Sequence, residues 1–263
     1  MDLKVSIIQT KIFWQDPEKN RDWLTEKLDM LYGSTDIIVL PEMFTTGFTM
    51  DAARFAEPIE GPTMQWMQNM AAKHHAAVVG SFIIKDKDKF YNRLIWMLPD
   101  GSYEYYNKRH LFRMADEQNH YQAGGSRVVV KHKGWKICPL VCYDLRFPVW
   151  SRNRYINQEY DYDCLLYVAN WPEKRSFAWK SLLVARAIEN QCYLVAVNRV
   201  GIDGNDINHS GDSGVFDYLG NRISKTERFG DKVETVTLFK NDLQEFRKQF
   251  PVSLDADNFN LIP

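Results

Sequence analysis

Five short apolar runs, each closed by a polar residue or a turn, constrain this chain more than anything else in it: Asp36 to Leu40, Ala76 to Ile84, Trp135 to Cys142, Asp163 to Ala169 and Cys192 to Asn198. Apolar runs of this length suit strands buried on both faces, being too short for helices and lacking the alternation of half-exposed strands. Leu3 to Gln9 reads as a further strand. The segments between them carry helical signals. Asp16 followed by Pro17 offers an N-cap and a first-turn proline, which predicts a helix to about Tyr32. Met64, Met67, Met70 and Ala71 recur at three- and four-residue spacing within Pro62 to His75, and Glu173 to Gln191 has the period of a long helix. Two hairpins interrupt this alternation. Pro99-Asp100-Gly101 turns Phe90 to Leu98 back onto Ser102 to Lys108, and Lys133-Gly134 joins Val128 to Lys131 with Trp135 to Cys142. The pattern predicts an α/β protein with mixed sheets and helices outside them, not one parallel doubly wound sheet.

No linker, repeat or low-complexity tract divides the 263 residues, so a single domain over 1–263 is expected. Lys and Arg number 33 against 34 Asp and Glu, a formal charge of -1, which argues against nucleic acid or an anionic membrane as partner. No apolar stretch approaches the ~20 residues of a membrane helix. Met1 to Thr10 lacks the pattern of a signal peptide, and a cytoplasmic location is expected. The cysteines at 138, 142, 164 and 192 form no CxxC pair, which fits a reducing compartment better than a disulfide scaffold or a zinc site.

Three predicted strands end in chemically useful side chains: Pro41-Glu42, Lys108-Arg109-His110-Leu111-Phe112 and Val141-Cys142-Tyr143-Asp144. Each has an ordinary explanation when taken singly. A free cysteine on an apolar strand is commonly a small buried hydrophobe, the reading given to Cys138, Cys164 and Cys192. A Glu after a strand is commonly solvated, and a Lys after a hairpin is commonly surface charge. Taken together they make a thiol reactive. An ordinary thiol, with a pKa near ~8.5, is mostly protonated at neutral pH and needs a base or a nearby cation. Transfer of its proton to an ordinary Glu is uphill by ~4 pK units, or ~6 kcal/mol. Burial must therefore raise the proton affinity of Glu42, or the proton must move only as the thiol attacks. The six histidines include no cysteine-protease signature and HExxH is absent, which sets aside a histidine base and a zinc hydrolase. His110 is expected to pack or bond locally.

In their order and context, PEMF, KRHLF and CYDLRFP resemble the nitrilase superfamily of carbon-nitrogen hydrolases. The likeness continues through VANWPEKRSFAWKSLLVARAIENQCYLVAVNRVG and GDSGVFDYLGN, covering the chain from its first strand to about residue 240. This resemblance implies a four-layer αββα sandwich of two mixed sheets with outer helices. It implies Cys142 as nucleophile, Glu42 as general base and Lys108 as oxyanion donor, joined by the backbone N–H of Tyr143. It also implies Glu117 as a supporting acid, although the charged loop from Arg113 to Gly125 would equally suit an exposed Glu117. The implied reaction passes through a thioester and uses no metal or organic cofactor, in an assembly of at least two copies.

Superfamily members cleave nitriles, aliphatic amides, N-carbamyl amino acids and ω-amides of 2-oxo acids, and a triad alone does not separate them. CYDLRFPVWSRN, ANWP and NRVGIDGN are most similar to bacterial and plant ω-amidases, which implies 2-oxoglutaramate or 2-oxosuccinamate as the small-molecule substrate. The rivals are an N-carbamyl-amino-acid or short-chain amidase, a nitrilase, and a catalytically silent binding protein. A substrate carboxylate opposite the amide calls for a cation, preferably the planar fork of Arg. Arg146 and Arg175 are the candidates, unless they pair with Asp144 and Glu173. Trp171 and Phe48 are expected as apolar walls, with ordinary core packing as the alternative.

Overall fold

The computed structural model describes residues 2–31, 33–257 and 259–260. In chain order the first elements are β1 (Leu3–Gln9), α1 (Pro17–Asp29), β2 (Ile37–Val39), α2 (Ala52–Phe55), α3 (Pro62–His74), β3 (Ala77–Asp86), β4 (Lys89–Met97) and β5 (Tyr103–Asn107). Next come β6 (Val130–His132), β7 (Trp135–Val141), α4 (Pro148–Ser151), β8 (Tyr155–Ile156), β9 (Glu159–Tyr160) and β10 (Cys164–Ala169). The chain continues with α5 (Ser176–Glu189), β11 (Tyr193–Asn198), β12 (Val200–Ile202), β13 (Asn208–Ser210), β14 (Gly214–Phe216), β15 (Lys232–Leu238) and α6 (Lys240–Gln249).

Two main sheets result, ordered β15-β1-β2-β3-β4-β5 and β14-β11-β10-β7-β6. Each has a parallel centre, β1-β2-β3 in one and β7-β10-β11 in the other, with antiparallel strands at its edges. The two-residue period of a strand separates the layers. Leu3, Val5 and Ile7 of β1, Ile37 and Val39 of β2, and Ala77 and Val79 of β3 join the core shared with the second sheet. Ile8, Ile38 and Val78 belong to the core beneath the helices, with Leu24 and Leu28 of α1 and Met64, Met67 and Ala71 of α3. Trp179, Leu183 and Ala187 of α5 pack with the second sheet. The architecture is the expected αββα sandwich.

Several boundaries follow local chemistry. Asp16 caps α1 by accepting from Lys19 N at 3.2 Å. That helix ends at Asp29, and the expected end at Tyr32 lies outside the described residues. Lys133 and Gly134 take φ of 45° and 77°, the left-handed pair that a tight two-residue hairpin turn needs. The helix expected from Glu173 begins as a 3-10 turn, Glu173–Arg175, and becomes α5 at Ser176. The strand expected to close on Cys142 stops at Val141, because the backbone turns sharply at the cysteine. Among the described residues no helix is long and apolar enough to cross a membrane.

Candidate active site

Cys142 follows β7 and opens a 3-10 turn, Cys142–Arg146, with φ of +44°. A β-carbon makes this left-handed region unfavourable, so surrounding contacts must hold the residue there, at a cost of ~1–3 kcal/mol. Glu42 lies three residues past β2. The Leu40 N–H still bonds Val79 O at 2.7 Å, Pro41 ends the ladder, and Glu42 is fully buried. Lys108 follows β5 directly, with its N–H on Asn92 O at 3.0 Å, and is 1% exposed. Glu117 begins a 3-10 turn and is also fully buried, which removes the exposed alternative.

The ammonium of Lys108 lies between two carboxylates, 2.9 Å from Glu42 Oε1 and 3.0 Å from both oxygens of Glu117. Glu42 also accepts from Asn92 Nδ2 and from the backbone N–H of Asn170, each at 2.8 Å. The Asn170 side chain donates to the Glu42 carbonyl, fixing the loop that carries the carboxylate. Glu117 accepts from Phe112 N at 2.5 Å. Burial alone would lower the proton affinity of Lys108, but the charges of Glu117 and Glu42 outweigh it and hold the ammonium well above the ordinary lysine range. Burial pushes the Glu117 carboxyl up, with Lys108 opposing and Glu42 adding to the rise.

Burial also pushes the Cys142 thiol well up. The Glu42 charge reinforces that rise, while Lys108 and the Asn170 N–H oppose it. Burial and the neighbouring Glu42 thus favour the thiol over the thiolate at Cys142. Cys138, Cys164 and Cys192 are buried, and burial pushes the thiols of Cys138 and Cys192 up to about 12.

A cavity of about 560 Å³ opens onto these groups, a size usual for small-molecule sites. Glu42, Phe48, Lys108, Cys142, Tyr143, Arg146, Trp171 and Arg175 all line it, whereas Glu117 lies behind Lys108. The Phe48 ring centroid is 4.9 Å from the Lys108 ammonium. Trp171 is held by its N–H to Asn198 Oδ1 at 2.7 Å and its indole N–H to Arg175 O at 2.9 Å. The guanidinium of Arg146 lies 4.9 Å from the Trp171 ring and that of Arg175 lies 5.2 Å from the Phe112 ring. The carboxylates nearest in sequence are engaged elsewhere: Asp144 with His110 at 2.7 Å and Glu173 with Arg228 at 2.6 Å. Among the described residues neither arginine has an ion-pair partner within 4 Å.

Sequence reasoning missed Asn92, Asn170 and the far cavity wall of Trp14, Asp203, Asn205 and His209. Asn92 sits inside β4 with nothing local to mark it. Asn170 stood within the ANWP motif but carried no assigned role. His209 is neutral at ordinary pH, since burial and the nearby Arg199 push it down to about 4.

The carbon-nitrogen hydrolase profile matches residues 4–248. The chain is 45% identical over 259 residues, 98% of both chains, to the omega-amidase YafV of Escherichia coli (strain K12). It is 31% identical over 258 residues, 96% of both, to the 2-oxoglutaramate amidase of Bacillus subtilis (strain 168). A solved CN-hydrolase superfamily protein from Xanthomonas campestris, with an arsenic adduct in its active site, is 46% identical and superposes with a TM-score of 0.97 over 99% of both chains. Profile, near full-length identity and shared fold have one consequence: this chain belongs to the carbon-nitrogen hydrolase family.

Proposed function

We propose that the protein hydrolyses the ω-amide of a small 2-oxo acid, 2-oxoglutaramate or 2-oxosuccinamate, to the dicarboxylate and ammonia. The observation that carries the chemistry is the buried Cys142 thiol at the cavity wall beside the Glu42–Lys108 ion pair. In this reading the sulfur attacks the amide carbon while Glu42 takes its proton. The negative oxygen that forms is met by Lys108 and by the backbone N–H of Tyr143, one of the first N–H groups of a helical turn and so without an intrahelical acceptor. Removing one such donor commonly costs ~3 to 4 kcal/mol. Collapse of the adduct expels ammonia, protonated by Glu42, and leaves a thioester on Cys142. A water activated by Glu42 then releases the acid. The relative from Xanthomonas campestris carries an arsenic adduct in its active site, which suits a site that contains a reactive thiol.

The choice of amide rests on the relatives and on Arg146 and Arg175. Two guanidinium groups lining one cavity without an acidic partner suit the carboxylate at the end of the substrate remote from the amide. Trp171 and Phe48 enclose the carbon chain in this reading. Ammonia release from 2-oxoglutaramate, 2-oxosuccinamate, glutamine, asparagine and a simple nitrile tests it. The 2-oxo amides are expected to show the highest kcat/KM, by at least about tenfold. Equal or better turnover of glutamine or of the nitrile would overturn the assignment.

A further inference from the structure

Asp144, two residues after the thiol, is fully buried and lies behind the cavity wall. Its carboxylate accepts four hydrogen bonds from both sides of the site. Oδ2 accepts from Val141 N at 3.0 Å and from Tyr106 OH at 2.8 Å. Oδ1 accepts from the backbone N–H of His110 at 3.0 Å and from its ring Nδ1 at 2.7 Å. Val141 immediately precedes the thiol, and His110 lies two residues beyond Lys108. One rigid carboxylate thus ties the strand end bearing the thiol to the strand end bearing the ammonium. The surrounding groups fix this tie in turn. Tyr106 OH accepts from Arg109 N at 3.2 Å and from Trp150 Nε1 at 3.0 Å, and the His110 ring stacks on Phe147 with centroids 3.8 Å apart. Burial, then the Asp144 charge, raise the Tyr106 phenol, so it stays a donor.

We infer that Asp144, acting through His110 and Val141, is a positioning residue that sets the separation of Lys108 and Cys142 for attack and oxyanion capture. The inference rests on the proposed thiol chemistry. Val141 is where the chain enters the unfavourable φ of Cys142, and its N–H bond to Asp144 holds the turn. Because Asp144 does not reach the cavity, substrate binding does not depend on it. Misplacing reacting groups by an ångström slows chemistry by about a hundredfold while leaving binding nearly intact.

The test measures kcat and KM separately, with 2-oxoglutaramate as substrate and thermal melting as the check on folding. Asp144→Asn keeps the shape but puts an NH2 group against one pair of donors. It is expected to lower kcat about ten- to hundredfold with KM within about threefold. His110→Ala, which removes the Nδ1 bond together with the ring's stack on Phe147, should lower kcat in the same way. His110→Asn, which restores a short side-chain donor, should recover most of that loss, a rescue that general loosening of the fold would not produce. If Asp144→Asn fails to fold, the His110 pair decides the matter. Wild-type kcat in folded Asp144→Asn or in His110→Ala would overturn the inference, as would a loss in KM equal to the loss in kcat. Activity in Cys142→Ala would instead refute the thiol reading itself, which separates the two failures.

Discussion

Glu42→Gln should make the Cys142 sulfur more acidic while nearly abolishing turnover. The side chains have the same shape, but the charge is lost 2.9 Å from the Lys108 ammonium. At an effective dielectric of ~20 that pair is worth 332/(20 × 2.9), about 6 kcal/mol, before solvation is counted. Lys108 keeps Glu117 on its other side and so keeps its proton. For the thiol the balance reverses. Glu42 raises Cys142 and Lys108 lowers it, and the substitution removes the first influence and leaves the second. A charge at this range shifts a neighbour by ~1 to 3 pK units, so the thiolate fraction below the midpoint should rise roughly ten- to a thousandfold. Losing a general base costs roughly a hundred- to ten-thousandfold in rate.

The assay is alkylation of Cys142 by iodoacetamide across pH, followed by mass spectrometry, beside ammonia release from 2-oxoglutaramate. The alkylation midpoint should lie above the ordinary cysteine range in the wild type and move down in Glu42→Gln, while kcat falls. A midpoint that stays fixed or moves up would refute the reasoning, because the carboxylate would then hold a standing thiolate instead of opposing one.

Arg146→Ala and Arg175→Ala should lower kcat/KM for 2-oxosuccinamate roughly ten- to two-hundredfold in at least one variant, with a much smaller loss on an uncharged amide of similar length. Equal losses on both substrates would make the arginines supports of the cavity wall. Glu117→Gln should lower kcat by about ten- to a hundredfold with little change in KM, read from steady-state kinetics; unchanged kcat would remove Glu117 from the reaction. His209 is held near 4 against an ordinary ~6.5, so the unfolded chain binds its proton more readily than the folded one. Its stabilising contribution is complete above about pH 6.5 and is lost as pH falls toward 4, by about 3 kcal/mol in all. Urea unfolding at pH 7 and pH 4.5 should show a smaller drop in His209→Asn than in the wild type, and equal drops would contradict the assignment.

What the sequence made legible follows from the range of the forces involved. Strands such as Cys164–Ala169 and Tyr193–Asn198 are marked by apolar runs that only burial on both faces explains. The Lys133-Gly134 hairpin is marked by turn chemistry confined to two residues. The proposed triad of Glu42, Lys108 and Cys142 came from family likeness. Its surroundings were not legible, because they come from contacts far apart in the chain. Asn92 donates to a carboxylate 50 residues away, and the Asn170 N–H reaches back 128 residues to the same group. Whether Arg146 would pair with Asp144 was equally undecidable from spacing. The outcome depended on Tyr106, on β5 of the other sheet, and on His110, in the loop after that strand, occupying that carboxylate.

Why a second buried carboxylate belongs in the site follows from charge balance. The proposed mechanism starts from Glu42 and Glu117 as carboxylates, Lys108 as an ammonium and Cys142 as a thiol. In the proposed attack Glu42 becomes neutral by taking the thiol proton, and an equal negative charge appears on the substrate oxygen. The sum does not change; in this reading the charge only passes from Glu42 to the substrate oxygen, both beside the Lys108 ammonium. An ammonium in contact with both positions can follow this transfer with little movement, which keeps reorganisation small. During the transfer, however, Lys108 loses the charge of its Glu42 partner at 2.9 Å. Without another counterion, burial would then favour its deprotonation just when the oxyanion needs a donor. Glu117 takes no part in the proton transfer and bonds Nζ through both oxygens at 3.0 Å, so it holds the ammonium charged and in place throughout.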